Sequence, residues 1–222
     1  MTIEEDFSIN ELCISLPKSL ANENLTDVLA TIGDAGLDAI IDSGSLDGVP
    51  FLGILTGILK AKRSVENELY FRKIYRFLLS LESTSVEDRV KFVNELTRKG
   101  KMEEFGETIL LLLERIDDIK KPSIIGNIMA AHISGHLAYD KAMRLAAIVN
   151  KCYSQDLGYL QQFREGTQGN MYYIADALFS VGLLANIGID GGNAGDPNSG
   201  GAIYSLNEYG KLLVKYGWPK AP

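Results

Sequence analysis

Residues 48–81 read GVPFLGILTGILKAKRSVENELYFRKIYRFLLSL, and the fold turns on whether this stretch is a membrane segment or a core helix. Its first part, Gly48 to Leu59, is uncharged but only 12 residues long before Lys60. A membrane span needs about 20 predominantly apolar residues. Pro50 suits a first helical turn, where its missing N–H would have no intrahelical partner anyway. The apolar residues then recur at helical spacing, which predicts one long helix from Val49 to Leu81, bent near Gly53 or Gly57. Leaving Phe51, Leu52, Leu55, Ile58 and Leu59 in water would forgo roughly 1.5–3 kcal/mol each, so a resting protein should bury this segment. Gly53 and Gly57, four residues apart, would let a neighbouring helix come close.

Outward from this stretch the helical pattern continues. Upstream, Leu25, Val28, Leu29, Ile32, Ala35, Ala39 and Ile40 share a helical stripe, with Asn22 or Asn24 as N-cap and Asp27, Asp34, Asp38 and Asp42 on the other side. The first twenty residues have little periodicity and contain Pro17. Downstream, Ser85 with Asp88 opens a helix that Gly100 closes. Glu103–Asp117 is a further helix, Pro122 starts another that Gly135 ends, and residues 139–164 read as one long amphipathic helix. After Gly166, residues 171–186 read as a helix and six glycines fall between Gly188 and Gly201. Ala202–Leu206 can be a strand, and Asn207 caps a last helix. The expectation is a mainly α protein. A multi-helix bundle, residues 1–165, is followed by a small C-terminal unit, residues 166–222, with one short β-hairpin.

Composition fits this reading. With 222 residues, 46% of them hydrophobic, the chain can bury a substantial core. Cys13 and Cys152 are too few for a disulfide scaffold and read as reduced thiols in a cytoplasmic setting. The opening MTIEEDFSIN is acidic where a secretory signal would be basic and then apolar. The longest stretch without Asp, Glu, Lys or Arg, Pro122 to Tyr139, contains two His, an Asn and two Ser, a poor membrane span.

Two resemblances follow. Leu178-Phe-Ser-Val-Gly-Leu-Leu184, the glycine-rich hairpin, and Tyr204-Ser-Leu-Asn-Glu-Tyr-Gly-Lys-Leu-Leu213 resemble the second half of a winged-helix domain. In those families a helix ending in "GLL" leads into a wing whose returning strand reads "Y-x-L-T-x-x-G". About forty residues carry this resemblance, which speaks to shape and not to DNA binding. The middle of the chain, VPFLGILTGILKAKRSVENELYFRKIYRFL and GETILLLLERIDDIKKPSIIGNIMAAHISGHLAYDKAMRLAAIV, resembles a loose family of small bacterial helical proteins with no assigned activity. That resemblance implies a bacterial cytoplasmic protein associated with accessory and antiphage defence gene sets. It supplies no catalytic residues.

Charge argues against a winged-helix regulator. The net charge is −7, and from Glu165 to Gly210 there is no Lys or Arg against five acids. A DNA-reading helix and wing need those cations for phosphates and guanine edges, so no duplex DNA partner is expected. The basic residues concentrate instead in 60–76: Lys60, Lys62, Arg63, Arg72, Lys73 and Arg76, against Glu66 and Glu68. Three readings of this stretch compete. It attracts anionic lipid headgroups while the apolar lead carrying Phe51 and Leu55 lies in the interface. It pairs with the acidic side of the Asp27–Asp42 region, within the chain or across a dimer. Or it is an ordinary solvated helix face.

Candidate chemistry is sparse. His132, His136 and Asp140 have metal-like spacing, but Gly135 at a helix end would put His136 in the loop. The Asp190–Gly201 loop is oxygen-rich without the EF-hand order, and without phosphate-loop spacing. Cys152 lies on an apolar helix side, and no Ser sits in a nucleophile elbow. The sequence therefore leads us to expect a non-enzymatic protein without cofactor or metal. Its partner would be another protein, which includes a second copy of itself. The alternative is an effector peripheral to the inner membrane that uses residues 48–59 and 60–76.

Overall fold

A computed structural model of the chain describes residues 9–35, 49–165, 172–193, 195–196 and 200–218. The elements are α1 (Ile9–Leu20), α2 (Leu25–Ala35), α3 (Pro50–Ala61), α4 (Val65–Leu79) with a 3₁₀ turn at Ser80–Ser83, α5 (Val86–Arg98) and α6 (Met102–Glu114). They continue with α7 (Lys121–Ile133), α8 (Tyr139–Lys151), a 3₁₀ stretch at Asp156–Phe163, α9 (Tyr172–Ser180), β1 (Leu184–Asp190), β2 (Gly201–Leu206) and α10 (Glu208–Tyr216). The protein is thus mainly helical with one small antiparallel hairpin near its C-terminus, as expected.

Helix α7 is the centre of the packing. Ile124, Ile125, Ile128, Met129, Ala130, Ala131 and Ile133 are all buried, covering the whole circumference. A helix that is apolar all round has no solvent face and must be enclosed. Here α4 and the 3₁₀ turn after it, α8, α5 and α10 do the enclosing. The nearest crossing is at Gly126, where a Cβ would lie 2.6 Å from the Phe77 carbonyl oxygen and 2.6 Å from Ser80 Cβ. At the start of α7, Lys121 is 1% exposed, and its ammonium donates to Asp117 Oδ1 at 2.6 Å and to the Asn150 carbonyl at 3.0 Å.

The first twenty residues have little periodicity, yet residues 9–20 form a helix that contains Pro17. Proline has no N–H to offer the carbonyl four residues earlier, here that of Cys13. That carbonyl is where α6 crosses: a Cβ on Gly106 would sit 1.8 Å from the Cys13 oxygen. Tertiary packing, with Leu16 and Leu20 fully buried, overrides the weak local propensity. Arg89, also buried, donates to the Leu20 carbonyl at 2.9 Å and the Thr84 carbonyl at 2.8 Å, satisfying the end of α1 from α5.

Three expected helices are shorter than read. The Val49–Leu81 helix is broken at residues 62–64, where Ser64 accepts from the Asn67 amide at 3.2 Å and starts α4 with Glu66 and Glu68 in its first turn. A cap and first-turn acids favour a new start there over continuation. The 139–164 helix ends at Lys151, because Leu157, Leu160 and Phe163 are buried at a spacing of three, which suits a 3₁₀ turn with residues i and i+3 eclipsed. The 171–186 helix stops at Ser180: Gly182, at φ +88°, turns the chain into β1. Other signals hold. Pro50 is the first residue of α3, Ser85 accepts from the Asp88 amide at 3.0 Å, and Gly100 follows α5.

Phe51, Leu52, Leu55 and Leu59 are buried in the core, with α3 packed on α1 and the Phe51 amide donating to Ser19 Oγ at 3.1 Å, whereas Ile58, expected to be buried with them, is exposed on the outer side of the helix. Gly53 and Gly57 are half-buried. The hydrophobic cluster runs continuously from Cys13 to Leu213, and α10 is tied to α7 by the Asn127 side chain donating to the Gly217 carbonyl at 3.1 Å. Among the described residues, no helix is long and apolar enough to cross a membrane.

Gly106→Ala and Gly126→Ala should each destabilise the fold by at least about 2 kcal/mol, since both insert a methyl against backbone that cannot yield. Gly158→Ala, with nothing within 4 Å of its Cβ position, should stay within about 0.5 kcal/mol of the parent. Urea melts of the three variants test this. An unshifted midpoint for Gly106→Ala would mean that α1 and α6 do not cross there.

Candidate functional site

The residues expected to meet a partner or a membrane divide into three groups. Phe51 and Leu55 are core residues. Lys73 and Arg76 reach across from α4 to the chain between α6 and α7: Lys73 Nζ donates to the carbonyl of Glu114, the last residue of α6, at 3.0 Å, and Arg76 Nη1 to the Ile119 carbonyl in the loop before α7, at 3.4 Å. Lys73 meets the negative end of the α6 dipole and satisfies a carbonyl left without an intrahelical donor. Lys60, Lys62, Arg63 and Arg72 are exposed, and Arg63 pairs with Glu68 at 2.8 Å. Helix α2 lies beside α4, fastened by the Tyr75 hydroxyl donating to the Leu29 carbonyl at 3.2 Å. Asp27 is exposed on α2; the side chains of Asp34, Asp38 and Asp42 lie outside the described residues.

A second feature is a cleft lined by residues that flank two helix corners. Both corners are Schellman turns. Gly100 (φ +65°) follows α5, with Lys101 N–H donating to the Leu96 carbonyl at 2.9 Å; Gly135 (φ +74°) follows α7, with His136 N–H donating to the Ala131 carbonyl at 2.8 Å. The cleft measures about 400 Å³, with Leu96, Phe92, Phe105, His132 and Tyr139 among its lining. The rings form a ladder. Phe105 meets Phe92 edge-on at 5.2 Å, Phe92 meets His132 edge-on at 5.5 Å, and His132 meets Tyr139 at 5.4 Å. Its rim carries the pairs Lys99–Glu95, at 2.6 Å, and Lys101–Glu104, together with Asp140. Burial pushes the Tyr139 phenol above its usual value. The sequence flagged both glycine corners but could not bring them together, because the aromatic lining comes from four helices.

The same turn settles the histidines. His132 is half-buried, with Nδ1 2.8 Å from the Leu137 carbonyl, and His136 stands exposed in the loop. The spacing of His132, His136 and Asp140 therefore does not fall on one helix face. Among the described residues, no three His, Cys, Asp or Glu side chains come together. Cys13 and Cys152 are free and buried, and burial pushes the Cys152 thiol up to about 11.

A third feature is the C-terminal surface. Asn207 locks the segments that carry the winged-helix phrases. Its Oδ1 accepts from the Gly210 amide at 2.9 Å, while its Nδ2 donates to the Gly182 carbonyl at 2.8 Å and the Leu184 carbonyl at 3.2 Å. Tyr204 ties the hairpin to α9, its hydroxyl donating to Asp176 at 2.8 Å and its ring 5.3 Å from Phe179. That hydrogen bond to a carboxylate holds the Tyr204 phenol above its ordinary range. Beyond this anchor, large apolar side chains stand in solvent: Tyr173 and Phe179 on α9, and Ile187 and Ile189 on β1, 59% and 80% exposed. A register shift between Asn186 and Gly188 puts Ile187 outside the regular pairing of β1 with β2.

Lys73→Glu with Arg76→Glu should lower stability by about 1–2 kcal/mol, because position 73 would then oppose the carbonyl end of α6 and the donations to the Glu114 and Ile119 carbonyls would both be lost. Lys60→Glu with Lys62→Glu should leave the thermal midpoint unchanged. Equal midpoints for the two double variants would show that Lys73 and Arg76 are as inert as the exposed pair.

No family model, no curated protein and no solved structure matches this chain, so the functional reading rests on these surfaces and on the residues themselves.

Proposed function

We propose that this chain is a non-enzymatic, protein-binding component of a bacterial multi-component system. It works in the cytoplasm by offering the outer face of α9 and the hairpin to another protein. The observation that carries this reading is the exposure of Ile187 and Ile189 on β1 and of Phe179 and Tyr173 on α9, two elements in contact with each other. All but Tyr173 lie within residues 177–189, a stretch without a single charged side chain. Each large aliphatic side chain left in water forgoes roughly 1.5–3 kcal/mol, and a run of them on one small unit marks an interaction surface.

Charge describes the partner. From Glu165 to Gly210 the chain has five acids and no Lys or Arg, so an apolar partner surface edged with basic residues complements it best. The same distribution disfavours duplex DNA. The non-enzymatic part of the reading rests on the sequence, which carries no nucleophile-and-base motif. Antiphage defence is the setting that the resemblance of the middle segment supports. The membrane-effector reading would require α3, now core, to leave its seat.

The test is affinity capture from the native host with the parent chain and with Ile187→Asp/Ile189→Asp. Both positions are exposed, so the double variant should keep the parental melt within about 0.5 kcal/mol. A partner held by the parent and lost by the variant supports the proposal. Equal retention excludes this face. Co-sedimentation with anionic vesicles that is lost on Lys60→Glu/Lys62→Glu/Arg63→Glu would put the effector reading in its place.

A further inference from the structure

The cleft between the Gly100 and Gly135 corners is separate from the hairpin surface, and nothing in the protein-binding reading uses it. Its volume, about 400 Å³, falls within the range of small-molecule sites, about 300–1,000 Å³. Around Phe92 and His132 it borders a second hollow of about 220 Å³, lined also by Asp88, Lys91, Ile133 and Leu137. Its walls are rings: Phe92, Phe105, His132 and Tyr139 run in succession at 5.2–5.5 Å, two of the three contacts edge-on. Such an array favours one more planar ring, since aromatic pairs gain beyond area burial in edge-to-face and offset arrangements.

His132 adds a direction. A carbonyl only accepts, so the 2.8 Å contact with Leu137 fixes the proton on Nδ1. With that proton on Nδ1, Nε2 is the position of the ring that can accept. Among the described residues no enclosed side-chain nitrogen or oxygen lacks a hydrogen-bond partner, which means Nε2 reaches solvent and not a sealed interior. The rim pairs Lys99–Glu95 and Lys101–Glu104 are exposed. Exposed ion pairs contribute little and open readily, so a polar substituent of either charge is tolerated at the mouth.

We propose that this cleft binds a planar heteroaromatic molecule with a ring N–H, the chemistry shared by indoles and purine bases. The ring lies against Phe92 and Tyr139, and its N–H donates to His132 Nε2. Binding and protein partnering occupy different faces, so either stands without the other.

The probe is indole, with 1-methylindole as the analogue that keeps the ring and loses the N–H. NMR titration of the intact chain reads both the affinity and the ring resonances. Indole should shift the resonances of Phe92, Phe105, His132 and Tyr139, and 1-methylindole should bind at least about tenfold more weakly. Tyr139→Ala, at an exposed first-turn position, should keep the fold and weaken indole several-fold. His132→Phe should make the two probes equivalent. If His132→Phe unfolds, the preference of the parent chain for indole over 1-methylindole still decides the point. Equal affinities for the two probes in the parent chain would overturn the hydrogen bond to His132. No shift of the cleft resonances up to the solubility limit of indole would overturn the site.

Discussion

Enclosure of helix α7 is the constraint on which the rest depends. Its buried apolar side chains, Ile124, Ile125, Ile128, Met129, Ala130, Ala131 and Ile133, face every direction, so each direction needs a covering element. Helix α4 supplies one wall, and Gly126 brings it to backbone contact; α8, α5 and α10 supply the others. The burial of Lys121 belongs to the same arrangement. An ammonium so nearly removed from water is tolerated because the Asp117 carboxylate and the Asn150 carbonyl both accept from it. Removing either acceptor's register would leave a buried charge without compensation, which costs far more than the pair contributes when intact.

The candidate sites are consequences of how this enclosure ends. Where α7 stops, its Schellman turn swings His136 into solvent and holds His132 against the Leu137 carbonyl. A matching turn follows α5, and residues flanking both turns line the cleft. Its aromatic lining comes from four helices, Phe92 on α5, Phe105 on α6, His132 on α7 and Tyr139 on α8. The hairpin stands at another margin, fixed by Tyr204 and Asn207 but with β1 and β2 alone in their sheet. A two-stranded sheet has one buried face to offer at most, so its remaining apolar residues meet solvent or a partner.

The basic stretch shows how linear charge can mislead. Six cations in residues 60–76 look like one electrostatic patch when the chain is read in order. In the folded protein Lys73 serves the end of α6, Arg76 the loop after it, Arg63 pairs with Glu68, and Lys60, Lys62 and Arg72 remain at the surface. A helix distributes consecutive residues around its axis, so neighbours in sequence acquire different surroundings.

Local signals were enough for much of this protein. Pro50, Ser85, Gly100, Gly135 and Asn207 act through their own covalent chemistry within a turn or two, and they placed helix ends correctly from the sequence. Apolar periodicity placed the burial of Phe51, Leu52, Leu55 and Leu59 for the same reason, since a helical stripe is a local geometry. The hairpin after Gly182 is legible in its glycines, although the first three residues of β1, Leu184 to Asn186, read as the end of the preceding helix because they lack alternation. What only the tertiary structure decided depends on residues far apart in the chain. Helix α1 forms around Pro17 because Gly106, nearly ninety positions later, accepts the Cys13 carbonyl at close range. The cleft draws Phe92, Phe105, His132 and Tyr139 from four different helices. Sequence reports what a residue prefers beside its neighbours. Which distant backbone it must fit against is set by packing, where one methyl group decides whether two helices can touch.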